Sequence, residues 1–349
     1  MTALPETTAA SLAVLEPGDP RWLELVESDP AALVFHHPAW MRLIREAYGF
    51  KPFVLGIEDG SGGLRGGVPV AEISSRIGGR RWVALPFTDH LPPLGAEGVP
   101  LAEMLTEARV RAGISKLELH AHVSGPGAFD AAEAVHHVLN LQPDAEAVRK
   151  TFHKSQVQRS IKKAEKSDLV VRRATRVEDV TGVFFDLHTG TRKRLGVPVQ
   201  PRRFFTHLWE QVLEPGLGFV LIAEYEGRPI ASAVFLQFGE TVIYKYGASE
   251  ADAWNVRPNH ALFWEAIRSS CEAGYTRFDF GRSDLGNESL RAFKGSWGSE
   301  ELPLRYSTLA DEPPGEGSGR AAKALVPIVQ KSPRWVCRAL GELLYKHAA

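Results

Sequence analysis

Lys294 lies in the run Phe293-Lys294-Gly295, just after the segment Phe278-Asp279-Phe280-Gly281-Arg282. An ammonium in that position can stabilise the oxyanion that forms when an amine attacks an ester or thioester carbonyl, most strongly where water is excluded. The plainer alternative is an exposed cation at a helix end. Strand alternation points Phe278 and Phe280 to one side and Asp279 to the other. There the carboxylate can take a proton from the amine or orient a substrate ammonium, or it can simply pair with Arg282.

A second feature is electrostatic. Between Arg149 and Arg176 stand ten Lys/Arg and two acids, a window of +8 in a chain of net charge −1, so the remainder carries −9. Within it, KTFHKSQVQRSIKKAEKS reads as one helix. Lys154, Gln158, Lys162 and Lys166 fall at i, i+4 on one face, and Phe152, Val157 and Ile161 can turn inward. Lys154, Arg159, Lys162, Lys163 and Lys166 are the candidate polyanion contacts, through backbone phosphates because few aromatics interleave. The alternative is a solvated helix face.

Other chemistries find no support. His36-His37, His136-His137 and the pair His120 and His122 lack metal-ligand spacing with Cys or acidic partners, so no metal site is expected. No Walker A motif, Rossmann fingerprint or G-x-S-x-G occurs. Two cysteines, Cys271 and Cys337, cannot form a disulfide framework and suit a reducing compartment. The first twenty residues have neither a basic n-region nor an apolar run, and no stretch reaches about 18 apolar residues. These features predict a cytoplasmic protein without a transmembrane segment, with at most peripheral contact at the inner face of the membrane. With 44% hydrophobic and 24% charged residues, the composition is that of a soluble globular chain.

The elements that must hold these residues occur twice. Phe53–Ile73 (FVLGIEDGSGGLRGGVPVAEI) and Phe219–Phe238 (FVLIAEYEGRPIASAVFLQF) each read as a hairpin around an acidic-Gly turn. A third strand follows each, at 81–87 and 241–249, then a helix, at 101–112 and 259–273. Each helix stops at a glycine, Gly113 or Gly274. A last strand opens at 116–121 and at 276–282. Between the copies lie the basic helix, a strand at DLVVRRA and helices at 176–195 and 201–214. After them come a DEPPGEGSG linker at 311–319 and an amphipathic tail broken near Pro333, with Leu340, Leu343 and Leu344 on one face. Domains are expected at 1–145, 146–310 and 311–349.

This order of elements resembles the GNAT acyltransferases, and the tandem pair resembles the Fem family of aminoacyl transferases. The resemblance is carried by Phe35-His36-His37-Pro38-Ala39-Trp40, Tyr48-Gly49, Leu85-Pro86-Phe87-Thr88-Asp89, Arg159-Ser160-Ile161-Lys162-Lys163-Ala164, Arg192 with Leu195-Gly196, and the stretches 278–282 and 290–298. It spans about residues 30–308. It implies an α/β (α+β) fold of two GNAT-like domains, each with a mixed, mostly antiparallel sheet and flanking helices, and an active site in the second. It also implies transfer of an aminoacyl or acyl group to an amine, with a peptidoglycan precursor as acceptor. Under the resemblance Tyr246, on the strand where GNAT folds splay, is a candidate leaving-group acid, with packing as its alternative. Arg192 falls where the acceptor's phosphates are met, with Arg194, Arg282, Arg42 and Arg45 as further substrate-binding candidates; for Arg192 the alternative is a cation that complements its helix C-terminus.

Two departures bear on the donor. No heptad run long enough for a Fem-type coiled-coil arm is present. The turn that holds pyrophosphate in GNAT enzymes corresponds to Asn255-Val256-Arg257-Pro258-Asn259-His260-Ala261, with proline and histidine where glycines would expose N–H donors. No tightly bound cofactor is expected. Aminoacyl-tRNA is favoured over acyl-CoA as the co-substrate, and an acyl-CoA-dependent enzyme acting on an envelope polysaccharide, sugar or lipid is the alternative. A non-catalytic nucleic-acid-binding module is a third reading.

Overall fold

The computed structural model describes residues 11–75, 79–314 and 319–345. In the first half run β1 (Leu12–Leu15), α1 (Pro20–Ser28), α2 (Pro38–Tyr48), β2 (Lys51–Glu58), β3 (Leu64–Ser75), β4 (Gly79–Val83), α3 (Leu101–Arg111), β5 (Lys116–Leu119) and β6 (Ala128–Asn140). The middle holds α4 (Ala145–Thr151), α5 (Arg159–Glu165), β7 (Leu169–Arg173), α6 (Phe185–Leu195) and α7 (Arg202–Leu208). The second half follows with β8 (Gly218–Tyr225), β9 (Arg228–Phe238), β10 (Thr241–Ser249), α8 (Pro258–Glu272), β11 (Arg277–Asp284), α9 (Glu288–Gly295) and β12 (Glu300–Ala310), then α10 (Gly319–Lys331) and α11 (Arg334–Leu344).

All twelve strands form one sheet, in the order β1-β2-β3-β4-β5-β12-β6-β11-β10-β9-β8-β7. The duplication is visible in its register. Trp82 lies opposite Leu117 where β4 and β5 run parallel, and Val242 lies opposite Phe278 in the matching pair β10 and β11. The halves also trade strands: β12 pairs with β5, while β6 pairs with β11. Each copy of the unit is thus finished by a strand from the other half of the sequence.

Among the described residues, two large cores and one small one flank the sheet. The larger joins both halves and includes Trp22, Trp40, Phe184, Phe204 and Phe205. The second lies under α8, where Phe278, Phe280 and Trp297 meet Phe152, Val157 and Ile161. Fully burying side chains of this size is worth about 1.5–3 kcal/mol each, which is why the aromatic positions decide where the helices sit.

Three sequence expectations change in detail. The basic helix is interrupted, because Phe152 is extended and His153 caps a π-turn over Lys154–Gln158 before α5 begins. The third strand of the first half ends at Val83, and Leu85 and Phe87 take left-handed φ of 41° and 64°. The tail forms two helices, α11 being preceded by Pro333 as its N-cap, and packs inward through Cys337, Gly341 and Tyr345. Leu343 points out at 66% exposure, while Leu340 packs partly against the larger core. Residues 315–318 of the linker, residues 1–10 of the N-terminal segment, residues 76–78 and the last four residues lie outside the described residues.

Candidate active site

The site begins with two irregularities that face each other. Strands β10 and β11 pair only from Thr241 to Ile243, with Ile243 opposite Asp279, and then part. Just beyond, β10 has a bulge against β9 between Tyr244 and Tyr246, which leaves Lys245 as the extra residue. On β11 the register against β6 shifts between Asp279 and Arg282. A bulge inserts one residue, bends the strand and re-aims side chains. At the β11 bulge Gly281 adopts φ 72°, and a Cβ there would come 3.0 Å from the Tyr244 carbonyl oxygen. Only glycine takes that backbone at little cost.

The bulges gather charged groups. The Gly281 N–H donates to Asp279 Oδ1 at 2.7 Å, and Asp279 Oδ2 lies 2.9 Å from His136 Nδ1 on β6. Lys294, on α9, donates through Nζ to the carbonyls of Gly281 at 2.7 Å and Arg282 at 3.0 Å. Its side chain is 3% exposed, so the exposed helix-end reading does not hold. Burial lowers its pKa to about 8, against the pull of the Asp279 and Asp89 charges. A lysine ammonium has three protons, and two are used on the bulge.

Lys245 reaches across to the first half. Its Nζ donates to the Phe87 carbonyl at 2.7 Å and to Asp89 Oδ2 at 3.1 Å. The loop it holds contains the left-handed Leu85 and Phe87, a conformation that costs about 1–2 kcal/mol per non-glycine residue. Thr88 Oγ1 returns a bond to the Leu85 carbonyl at 2.7 Å, and Tyr306 Oη bonds the Asp89 carbonyl at 2.6 Å. Burial lowers His90 and His120, on or beside this loop, to about 4, so both are neutral at pH 7. Asp89, His90, His136 and Lys245 were not selected from the sequence. The signal that could have found them was the Thr88-Asp89 run within the family-like stretch, and Lys245 between two tyrosines of a strand.

The remaining candidates fall elsewhere. The bulge at Lys245 sends the two tyrosines to opposite faces. Tyr244 packs at a tilt against Phe263, ring centroids 4.7 Å apart, whereas Tyr246 packs with His188 at 5.7 Å and Phe204 at 6.0 Å in the larger core. Burial pushes the Tyr246 hydroxyl well above its ordinary range, so it stays protonated. The alternative of an Asp279–Arg282 pair is not formed, because Arg282 pairs with Asp284 at 2.7 Å and lies over Tyr306. Arg192 bonds the Pro198 carbonyl and the Tyr345 hydroxyl, which ties α6 to the tail. Arg42 bonds Gln211, and Arg45 is exposed. Arg194 lies over Trp254 and lines a cleft of about 610 Å³ with Arg228 and Arg334. Among the described residues, none of these four arginines bonds to the Asp279 cluster.

The basic stripe sorts itself by partner. Arg149 pairs with Glu165 and lies over Trp264, Arg172 pairs with Asp179 and Glu224, and Arg173 covers Phe219. Lys154, Arg159, Lys162, Lys163 and Lys166 are exposed and form no ion pair among the described residues. Beside them α8 starts at Pro258 after Arg257, which has a φ of 61°. The N–H groups of His260 and Ala261 both turn back to the Arg257 carbonyl. Among the described residues, no group of three or more His, Cys, Asp or Glu gathers as a metal site, and no helix is long and apolar enough to cross a membrane.

Residues 151–294 match the family described as an acetyltransferase (GNAT) domain. Two curated proteins, the Lipid II:glycine glycyltransferases of two Staphylococcus epidermidis strains, are each 34% identical over 83 residues, 22% of this chain and 20% of theirs. The match therefore spans about a fifth of the length of those relatives. The structure of FemX superposes with a TM-score of 0.66 at 13% identity, over 84% of this chain and 96% of that one. The C-terminal domain of a putative lysylphosphatidylglycerol synthetase from Agrobacterium fabrum gives 0.54 at 17% identity, over 89% and 95%. A tandem GNAT protein from the clavulanic acid biosynthesis pathway gives 0.52 at 14% identity, over 88% and 100%. The expectation of a Fem-type tandem GNAT architecture is borne out, with a GNAT domain recognisable by sequence in the second half.

Proposed function

We propose that this chain is an N-acyltransferase of the Fem and GNAT kind, which moves an aminoacyl or acyl group from an activated ester or thioester to the amine of a peptidoglycan precursor. The observation that supports it best is the pair of bulges where β10 and β11 part, with Lys294 and Asp279 both bonded to the backbone of Gly281 in the β11 bulge. A GNAT domain over that stretch gives the reaction class, and the name of the S. epidermidis relatives suggests the acceptor class.

In this reading the amine nitrogen attacks the acyl carbonyl and a C–N bond forms. The tetrahedral oxyanion is stabilised by the Lys294 charge and by its third N–H, the two others being held by the bulge carbonyls. The amine loses its proton on the Asp279 side. Collapse breaks the C–O bond to a ribose oxygen, or the C–S bond of a thioester, and the leaving atom takes up a proton. Arg194, in its cleft at the end of β10, is better placed for acceptor phosphates than Arg192, Arg42 or Arg45, whose surroundings are structural or remote. Tyr246 is assigned to packing.

Aminoacyl-tRNA is the favoured donor. The free basic stripe suits a phosphate backbone, while Pro258 and the inward-turned N–H groups after it leave little for a pyrophosphate. The tail offers a peripheral membrane contact. Ile328, Trp335 and Leu343 are 52%, 67% and 66% exposed, on a segment (319–345) with five basic residues and one acid, a composition that suits an anionic bilayer surface.

The deciding experiment gives the purified protein charged tRNA or a panel of acyl-CoAs, with nucleotide-linked and lipid-linked muropeptides, and follows acceptor mass. Transfer from tRNA alone is expected. Transfer from acyl-CoA alone would select the alternative donor. If neither donor is consumed, the acyltransferase reading fails; steeply salt-dependent RNA binding would then mark a nucleic-acid-binding module.

A further inference from the structure

The amine's proton needs an acceptor, and the second half of the chain does not supply a good one. Both oxygens of Asp279 already take donors, Oδ1 from the Gly281 N–H and Oδ2 at His136. We propose that His136, from the first half of the chain, is the general base of the reaction, and that Asp279 is the positioning residue that fixes its tautomer. The inference rests on the acyl-transfer reading given above.

The geometry selects the tautomer. A carboxylate only accepts hydrogen bonds, so the 2.9 Å contact puts the hydrogen on His136 Nδ1. The lone pair is left on Nε2, which has no hydrogen-bond partner among the described residues. At 13% exposure the ring is reachable without being solvated. The neighbouring His137 is unsuited, since alternation turns it to the other face. Its Nε2 lies 3.2 Å from Glu301, and its side chain is 2% exposed.

Several charges face His136. Arg282 is its register partner on β11, and Lys294 holds the carbonyls of that bulge from α9. From the loop after β4 come His90, with its ring centroid 5.6 Å away, and Asp89. His90 is kept neutral by its burial, so it adds no charge. Asp279, in direct contact, is the group that stabilises an imidazolium against the Arg282 and Lys294 cations.

The proton inventory closes without another reagent. As the C–N bond forms, one amine proton moves to His136 Nε2. As the C–O or C–S bond breaks, the same proton moves from Nε2 to the leaving oxygen or sulphur. The products are an amide and an alcohol or thiol, and the imidazole is neutral again. The strand exchange that carries β6 to the side of β11 acquires a chemical purpose: it delivers the base to a nucleophile site built by the other half.

The test uses the full chain and single-turnover transfer. His136→Asn keeps an N–H donor near Asp279 but has nothing in place of Nε2. A fall of about 100-fold or more at pH 7 is expected, with unchanged donor binding and melting temperature, and partial recovery with added imidazole. Nitrogen-15 NMR of the wild-type ring is expected to show the Nδ1–H tautomer, and Asp279→Asn to disturb it. A wild type that transfers while His136→Asn keeps its rate would overturn the dyad and leave the acyltransferase reading standing, as would an Nε2–H tautomer in the wild type. A wild type inactive with every donor would overturn both.

Discussion

Glu118 and Asp279 occupy the same place in the two copies, each in the last registered pair of the parallel pairing of its strand, opposite Val83 or Ile243. Their surroundings could hardly differ more. Glu118 stands on a regular ladder against β12 and is neutralised by Lys116 and Arg81 at the surface. Asp279 stands at a bulge, half-buried, with its oxygens on a backbone N–H and an imidazole. An acid at equivalent positions therefore becomes a surface ion pair in one copy and the centre of a charged cluster in the other. The difference is made by one inserted residue and one glycine in the left-handed region. The first half is more than a scaffold, however, because it lends His136, Asp89 and the strained loop to that cluster.

The strongest way to break the contrast is to remove the bulge. Gly281→Ala is expected to cost about 1–2 kcal/mol for the left-handed backbone alone, and more because the new Cβ would press on the Tyr244 carbonyl at 3.0 Å. Transfer should fall by at least 100-fold, with a melting temperature several degrees lower. Glu118→Gln, at the equivalent acid, should leave transfer unchanged. Equal losses in the two variants would show that the bulge is not what separates the copies.

Lys294 sharpens the comparison through pH. Its pKa is lowered to about 8 by burial. If its charge is needed, transfer should decline as pH rises through about 8, and Lys294→Met should lose more than tenfold in kcat together with that alkaline limb. The stability sign is opposite. A lysine whose folded pKa is depressed opposes folding below about 8, and that opposition is relieved as pH climbs toward its ordinary value of 10.5. Stability measured by denaturant titration should therefore gain between pH 8 and 10 in the wild type relative to Lys294→Met.

How far the sequence could be read follows the same line. The repeat, the order of its strands, the inward turn of Phe152, Val157 and Ile161 and the division of Asp279 from Phe278 and Phe280 all obey periods of 2 and 3.6, and periods are visible in one dimension. The bulges are not. Nothing in TVIYKYGAS says that Lys245 is the extra residue, so Tyr246 read as facing the cleft when it faces the core. The strand exchange was equally hidden, since pairing of β6 with β11 is a long-range choice that local pattern does not encode. For that reason His136 looked like one of several unremarkable histidines, and Arg282 looked like the partner of Asp279. The interrupted basic helix was missed because Phe152-His153 contains no proline or glycine to mark the break.

Away from the cluster, the exposed stripe separates donors. Replacing Lys162 and Lys163 by Gln removes two candidate phosphate contacts, each worth about 0.7–0.9 in the slope of log affinity against log salt. Affinity for charged tRNA should drop by roughly tenfold at moderate ionic strength, with the salt slope lowered by between one and two. The rate at saturating donor should hold. An unchanged slope would remove these two lysines from the donor surface.

The smallest expected effect asks whether the copies can be made more alike. Arg173 on β7 lies over the Phe219 ring at 4.2 Å and covers that face of the second copy. The ladder positions equate it with Val14, since Arg173 is opposite Leu221 and Val14 opposite Leu55. Val14 is 69% exposed and lines a groove of about 560 Å³ with Phe53, Leu55 and Trp82. A guanidinium placed there by Val14→Arg should stack on Phe53 and meet Glu72 or Glu107 at the groove's rim. A cation over an aromatic face at an exposed site is worth about 0.5–1 kcal/mol. Val14→Arg is therefore expected to raise stability by under about 1 kcal/mol without changing transfer, and Phe53→Leu should cancel the gain in a double-mutant cycle. Destabilisation by Val14→Arg would mean that the two faces have diverged in backbone as well as in side chains, which would confine the likeness of the copies to the sheet register.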